Sequence, residues 1–483
     1  MSPEEFREQG KRVVDWIADY LADVESRPVR SPVEPGRVRQ RLPSHPPEQG
    51  EEFDSVLADL DEVVLPGITH WQHPGFFGYF PANASGPAIL GDLLSGGLGV
   101  QGMLWASSPA CTELETVVVD WLAELLGLPE HFRTDAAGGG SIQDSASGAC
   151  LVALLAALHR ASGGRAVREG VPQRCTVYVS SQTHSSVEKA AGIAGVGRND
   201  VRVVDVDADT LAMRPERLSE LLEQDLADGA VPAFVCATVG TTSTTAVDPV
   251  AGIGEVCRRH GVWLHVDAAY AGAAAACPEM RWINDGVARH ADSYATDPHK
   301  WLLTNFDCSV LWVADRAPMV AALSILPEYL RNAATSSGEV VDYRDWQVPL
   351  GRRFRALKLW SVIRHYGAEG LRAHVRRCIG FADELAAAVE EDSRFELWKP
   401  RSFSLVCFRP IWAGASAGRA NEATLRLVEH VNASGRAYVT HTEVGGRVLI
   451  RVAVGAPATE RRHVFAAWDH VQRAYEYLRI ASP

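Results

Sequence analysis

The sequence predicts an α/β chain: a large, mostly parallel β-sheet domain, a helical arm before it and a smaller α+β region after it. Three observations carry that expectation. Short, near-continuous apolar runs recur at residues 175–180, 201–206, 233–239, 263–267 and 308–313, as strands buried on both faces require. Helix-like segments separate several of them. Polar, reactive residues follow such runs, where open α/β sheets bind their ligands.

In chain order, residues 4–24 read as an amphipathic helix, with Phe6, Val13, Val14, Ile17, Tyr20 and Leu21 at helical spacing. A Pro-rich basic stretch, 27–47, is expected to run extended. Residues 1–85 together read as an arm that packs on a second copy of the chain. The large domain is expected over 86–356. In it, Thr112 and Glu115 read as a capping box opening a helix with its stripe at Val117, Val118, Trp121, Leu122, Leu125 and Leu126. Residues 138–148 read as a Gly-rich loop before a helix at 149–160. The basic run from Gly351 to Arg355 reads as a solvated helix start. Residues 357–483 form the smaller domain, with helices near 356–366 and 378–389 and strands at 404–409 and 448–454.

Composition excludes several classes. The net charge of −13 argues against nucleic acid or an anionic membrane as the main partner. No apolar run reaches transmembrane length, and the polar, acidic start is unlike a secretory signal. Nine cysteines without CxxC spacing predict a reduced, cytoplasmic protein with no structural metal.

The chemistry lies at the strand ends. Lys300, in Pro298-His299-Lys300-Trp301, follows a short apolar run at 291–295 and is placed to form a Schiff base with an aldehyde cofactor. Asp267 ends the run before it, 33 residues earlier. An aspartate at one strand end and a lysine near the next can hold pyridoxal phosphate, the lysine at the aldehyde carbon and the aspartate at the ring nitrogen. Alone, each is an ordinary loop or cap residue. A Gly- and Ser-rich segment ahead of a helix adds an anion site, with Ser145 and Ser147 as hydroxyl donors. His184 could stack on a flat ring, and Thr238 could hydrogen-bond a ring substituent.

Longer motifs carry a family resemblance over nearly the whole chain. They include Thr69-His70-Trp71-Gln72-His73-Pro74, Ser107-Ser108-Pro109-Ala110-Cys111-Thr112-Glu113, His265-Val266-Asp267-Ala268-Ala269-Tyr270, Asn305-Phe306-Asp307-Cys308 and Pro349-Leu350-Gly351-Arg352-Arg353-Phe354-Arg355. The chain resembles the group II pyridoxal-phosphate-dependent decarboxylases, and within them the aromatic-L-amino-acid decarboxylases. The resemblance implies the aspartate-aminotransferase-like fold type I, pyridoxal 5'-phosphate as cofactor, a homodimer and an aromatic amino acid as substrate. It makes Lys300 the cofactor-binding lysine and Asp267 the partner of the ring nitrogen. His184 stacks on the ring, which Thr238 and Ala269 line. Ala146, Ser147 and His299 hold the phosphate region, with Leu350 and Gly351 supplied by a neighbouring subunit. Trp71, Tyr79, Phe80 and Pro81 shape the aromatic pocket, and Tyr329 returns a proton to the substrate carbon.

Some positions depart from the animal enzymes: Asp297 replaces a common asparagine, and Ala82, Gln101 and Met103 replace Thr, Ile and Phe. These predict a roomier pocket, more polar on one wall. A second acid beside Asp267 needs accommodation, for which His299 is the candidate. Gly351 resembles the small residue of indole-accepting relatives, which points to tryptophan or a hydroxytryptophan. The competing reading is an aldehyde synthase of the same family, in which Tyr329 becomes Phe or His184 becomes Asn. Both residues are intact. Acidic-substrate decarboxylation fits the aromatic motif less well, and an inactive interaction protein would be expected to lose Lys300 or Asp267.

Overall fold

The computed structural model describes residues 1–171, 173–325, 334–335 and 339–481. They fall into two compact units. The larger holds residues 82–380 and 398–405, and the smaller holds residues 1–81, 381–397 and 406–483. Residues 1–81 thus share a unit with the end of the chain.

The larger unit is organised by seven strands: β1 (Gly139–Gln143), β2 (Cys175–Ser180), β3 (Val201–Val204), β4 (Val231–Thr238), β5 (Trp263–Asp267), β6 (Ser293–Thr296) and β7 (Ser309–Val313). Their spatial order is β1-β7-β6-β5-β4-β2-β3. From β3 to β6 all pairings are parallel; β7 runs antiparallel to both β6 and β1. Burial runs unbroken along β1, β2, β5, β6 and β7, which suits the mostly apolar sequences of β2, β5 and β7. The helix Ala146–Ala161 packs Ala149, Val152, Ala153 and Ala156 into a core shared with Val177, Phe234 and Leu311. Its small side chains suit close approach of helix to sheet.

Three expectations change here. The Gly-rich segment is not all loop, because residues 139–143 pair with β7 as β1. Its glycines leave room for neighbours: a Cβ at Gly140 would meet Val119 and Trp312 at 2.3 and 2.5 Å. The helix at 109–125 is capped by Ser108, whose Oγ accepts the Cys111 N–H, so Thr112 and Glu115 form no capping box. Both lie inside the helix and are buried. The run 351–355 is not a solvated start either. Arg352 is buried and Arg355 is paired with Asp307 at 2.9 Å; of the three arginines only Arg353 is largely exposed.

The smaller unit carries a four-stranded sheet of β8 (Phe395–Leu397), β9 (Leu405–Pro410), β10 (Thr440–Val444) and β11 (Arg447–Ala453), ordered β10-β11-β9-β8, in which β10–β11 and β8–β9 pair antiparallel. Leu405 itself belongs to the larger unit. The two helices expected near 356–366 and 378–389 are one element, Ala356–Glu391, interrupted at Gly367 with φ 63°. The N-terminal helix Pro3–Asp23 has a complete Ser2/Glu5 capping box. The stretch after it is not wholly extended, since Arg37–Arg41 is a short helix.

Candidate active site

Parallel register brings the candidates together at the carboxyl ends of adjacent strands. Thr238, the last residue of β4, stands opposite Asp267, the last of β5, and Asp267 stands opposite Ala295 of β6. Beyond β6 the chain bends into a single helical turn, Pro298–Trp301, capped by Asp297. The Asp297 N–H donates to the Ala269 carbonyl at 3.0 Å, which ties the exits of β5 and β6 together.

Lys300 Nζ lies 2.8 Å from Asp297 Oδ2. His299 Nε2 is 3.6 Å from the same oxygen. His299 Nδ1 accepts the Cys308 N–H at 3.0 Å, and burial holds the imidazole below its ordinary pKa, so it is neutral with its proton on Nε2. The second acid is therefore held mainly by Lys300, with His299 the more distant neighbour. Asp297 Oδ1 is buried without a hydrogen-bond partner. Asp267 is also buried, and Oδ1 accepts the Ala269 N–H at 3.0 Å. Burial raises its pKa, opposed by the charge of Lys300 and reinforced by Asp297.

His184 follows β2 and is exposed. Its Nδ1 accepts the Ser186 N–H at 3.2 Å and lies 2.8 Å from Ser186 Oγ, which turns the ring and leaves its proton on Nε2. Ala146 and Ser147 are the first two residues of the helix Ala146–Ala161, behind the cap Ser145, whose Oγ accepts the Gly148 N–H. Helix-start N–H groups have no intrahelical acceptor, so they face outward as anion donors.

The segment carrying Ala82 is stitched to the Lys300 turn: Asn83 N–H donates to the His299 carbonyl, Asn83 Oδ1 accepts the Leu303 N–H, and Ser85 Oγ donates to the Leu303 carbonyl. Gln101 Oε1 accepts the Arg352 N–H at 2.5 Å, and a Cβ at Gly351 would lie 3.4 Å from Gln101 Nε2. Gln101, Leu350 and Gly351 are exposed, and the Met103 carbonyl accepts the Arg344 N–H. In the smaller unit, Trp71 stacks on Tyr79 at 5.5 Å, and Tyr79 Oη is 3.2 Å from Tyr438 Oη. Phe80 is buried beneath the Arg451 guanidinium, and Pro81 meets Gly455. Tyr329 lies outside the described residues.

Sequence reading missed Ser186, Asn83, Ser85 and Asp248. Asp248 accepts the N–H groups of Thr238 and Met213 at 2.8 and 2.6 Å and so fixes the end of β4. Asn83, Ser85 and Asp248 have no local signal, since each acts on a partner that only folding brings near, whereas Ser186 bonds His184 two residues away.

The residues fit a flat, cationic heteroaromatic ring bearing an aldehyde and a phosphate. The buried Asp267 carboxyl suits a ring-nitrogen proton, the Thr238 hydroxyl beside it is buried, and the helix start suits the phosphate. Among the described residues no cluster of His, Cys, Asp and Glu offers a metal site.

The family model for the pyridoxal-dependent decarboxylase conserved domain matches residues 35–411. The chain is 48% identical over 479 residues to a phenylacetaldehyde synthase of Arabidopsis thaliana, covering 99% of this chain and 97% of that one. It is 46% identical over 469 residues to tryptophan decarboxylase 2 of Oryza sativa subsp. japonica, covering 97% and 94%. The solved structure of Oryza sativa TDC with PLP and tryptamine superposes with a TM-score of 0.96 at 43% identity, covering 99% of both chains. These likenesses span essentially whole chains and extend to the fold.

Proposed function

Because this chain belongs to the pyridoxal-dependent decarboxylase family, a group of fold type I enzymes, we propose that it removes the carboxylate of an aromatic L-amino acid to give the arylalkylamine and carbon dioxide. The carrying observation is the register of Thr238 and Asp267 on neighbouring strand ends, with Lys300 one helical turn beyond the next strand.

Bound pyridoxal 5'-phosphate supplies an electron sink for the bond that breaks. Lys300 would hold its aldehyde carbon. Asp267 would keep the ring nitrogen protonated by pairing with it as a carboxylate. His184, oriented by Ser186, would cover the ring, while Thr238 and Ala269 line it. Ala146, Ser147 and His299 would hold the phosphate region. Asp297 restrains the Lys300 ammonium at 2.8 Å, so the lysine arrives pre-positioned. Trp71, Tyr79, Phe80, Pro81, Ala82, Gln101, Met103 and Gly351 are assigned to the substrate by family resemblance, and Tyr329 to the proton that replaces the lost carboxylate.

A homodimer completes this reading. The helix Pro3–Asp23 buries none of its residues, and Leu90, Leu93, Leu94 and Leu98 on the helix Gly86–Leu98 are all more than half exposed. Leu350 and Gly351, assigned to the second copy by the family resemblance, are exposed as that assignment needs. All nine cysteines are buried and free, which supports the cytoplasm as location. No helix among the described residues is long and apolar enough to cross a membrane.

The second reading, oxidative conversion to an aldehyde, is favoured by the likeness to phenylacetaldehyde synthase. The intact Tyr329 and His184 favour the amine. A panel of Trp, 5-hydroxytryptophan, DOPA, Tyr, Phe and Glu with added pyridoxal phosphate separates the two. Amine without peroxide supports decarboxylation. Aldehyde with equal peroxide supports the synthase, and turnover of Glu alone rejects the aromatic assignment.

A further inference from the structure

Two features of the sequence have no place in the chemistry above: the glutamate of the helix Pro109–Leu125 and the first arginine of the run 352–355. They meet in the interior. Arg352 Nη2 is 2.5 Å from Glu115 Oε1, and both side chains are almost completely buried. The pair is also bonded to one residue of β1. The Ile142 N–H donates to Glu115 Oε1 at 2.8 Å, and Arg352 Nη2 donates to the Ile142 carbonyl at 2.8 Å. β1 is an edge strand, paired only with β7. At Ile142 the two side chains occupy the place of a missing neighbour strand.

Each partner sits beside residues assigned a role above, one set in this subunit's site and one offered to its neighbour's. Three residues past Ile142, Ser145 caps the helix whose first residues, Ala146 and Ser147, are assigned to the phosphate. Next to Arg352 is Gly351, assigned to substrate selection. The backbone of this second segment is pinned by the Arg352 N–H to Gln101 Oε1, the Gly102 N–H to the Arg352 carbonyl at 3.0 Å, and Gln347 Nε2 to the Gly351 carbonyl at 3.2 Å. The Arg352 guanidinium lies 4.8 Å from the Tyr343 ring centre, and Tyr343 Oη is 3.1 Å from Thr116 Oγ1 on the Glu115 helix.

We propose that Glu115 is a positioning residue: its buried pair with Arg352 ties the phosphate-side helix start and the substrate-selecting Gly351 segment to one point on β1, so that cofactor hold and substrate preference depend on the same contact. The inference rests on the functional reading above. Removing the glutamate charge leaves a buried guanidinium without its anion, and the economical relief is for Arg352 to move toward solvent. Gly351 then moves with it, and Ile142 loses a donor.

The test uses Glu115→Gln and the neutral pair Glu115→Gln/Arg352→Met in the full-length enzyme. Three readouts are taken: the dissociation constant for pyridoxal phosphate from absorbance titration, the kcat/KM ratio for Trp against Tyr, and the urea midpoint. Glu115→Gln is expected to lower the midpoint, weaken cofactor binding at least tenfold and change the substrate ratio at least threefold. The neutral pair removes the lone buried charge, so it is expected to recover most of the midpoint while cofactor binding and the ratio stay altered. Recovery of all three together, or wild-type binding and ratio in both variants, would overturn the proposal and leave the pair a stability element only. If Glu115→Gln fails to fold, the neutral pair decides alone. A wild-type enzyme that binds no pyridoxal phosphate would instead refute the functional reading itself.

Discussion

Lys300 Nζ lies 2.8 Å from Oδ2 of Asp297, the residue that caps its own helical turn. That contact sets an acid beside Lys300, and the same acid adds to burial in pushing up the Asp267 carboxyl. Asp267 holds a protonated ring nitrogen only when ionised. Acidification therefore loosens the cofactor as Asp267 takes up a proton. Asp297→Asn removes a like charge, lowers the Asp267 pKa, and is expected to move the acid limb of cofactor retention to lower pH. Absorbance of retained cofactor across an acid titration measures it. An unchanged or upward-shifted limb would show that the two acids are not coupled.

Lys300→Ala removes the amine that the family chemistry needs. Turnover is expected to fall on the order of 10³-fold or more. The visible absorbance of the lysine-bound cofactor should vanish, although the ring can still be held by Asp267 and the helix start. A colourless wild-type protein after incubation with cofactor would sink the assignment.

Gly351→Ser adds a side chain where a Cβ meets Gln101 Nε2 at 3.4 Å, ordinary contact distance, so the backbone can accept it. The loss of room is expected to lower the Trp-to-Tyr ratio of kcat/KM by roughly 10-fold, the scale on which small changes in a pocket discriminate substrates. Competition assays with both amino acids read it directly. A constant ratio would remove Gly351 from the selecting surface.

Asp248 gives a pH signature of stability. Burial raises its pKa from 3.8 to about 6, against two backbone N–H bonds that favour the anion. The native state thus binds the proton more tightly than the unfolded chain. The resulting stabilisation is complete below about pH 4 and is lost as pH rises through about 6; a shift of this size corresponds to about 3 kcal/mol. Asp248→Asn cannot titrate, so its denaturation midpoint should lack this part of the decline between pH 4 and 6.5. Parallel midpoint curves for both proteins would contradict the raised value.

The chemistry was legible from residue type and local pattern. Lys300, Asp267, Thr238 and His184 each follow an apolar run, and strand ends are where such sheets bind ligands, so their candidacy needed no long-range information. Strands at 175–180 and 263–267 were legible because burial on both faces demands unbroken apolar residues. β1 was not, because Gly139 and Gly140 carry the composition of a loop and become a strand only against β7.

What the sequence determined by itself was therefore the kind of fold and the cofactor chemistry. Tertiary structure alone decided the fate of charges whose partners are far along the chain. Glu115 and Arg352 are 237 positions apart, and nothing local distinguishes them from a helix-cap acid and a solvated base. Asp297 beside Lys300 is the instructive contrast: the two are three residues apart, yet only the turn that follows β6 points the carboxylate at the amine. A charge is read locally as soluble, because its sequence neighbours show its hydrogen-bonding capacity but not its burial. The fold sets the burial, and burial decides whether a charge is surface decoration or a fixed part of the site.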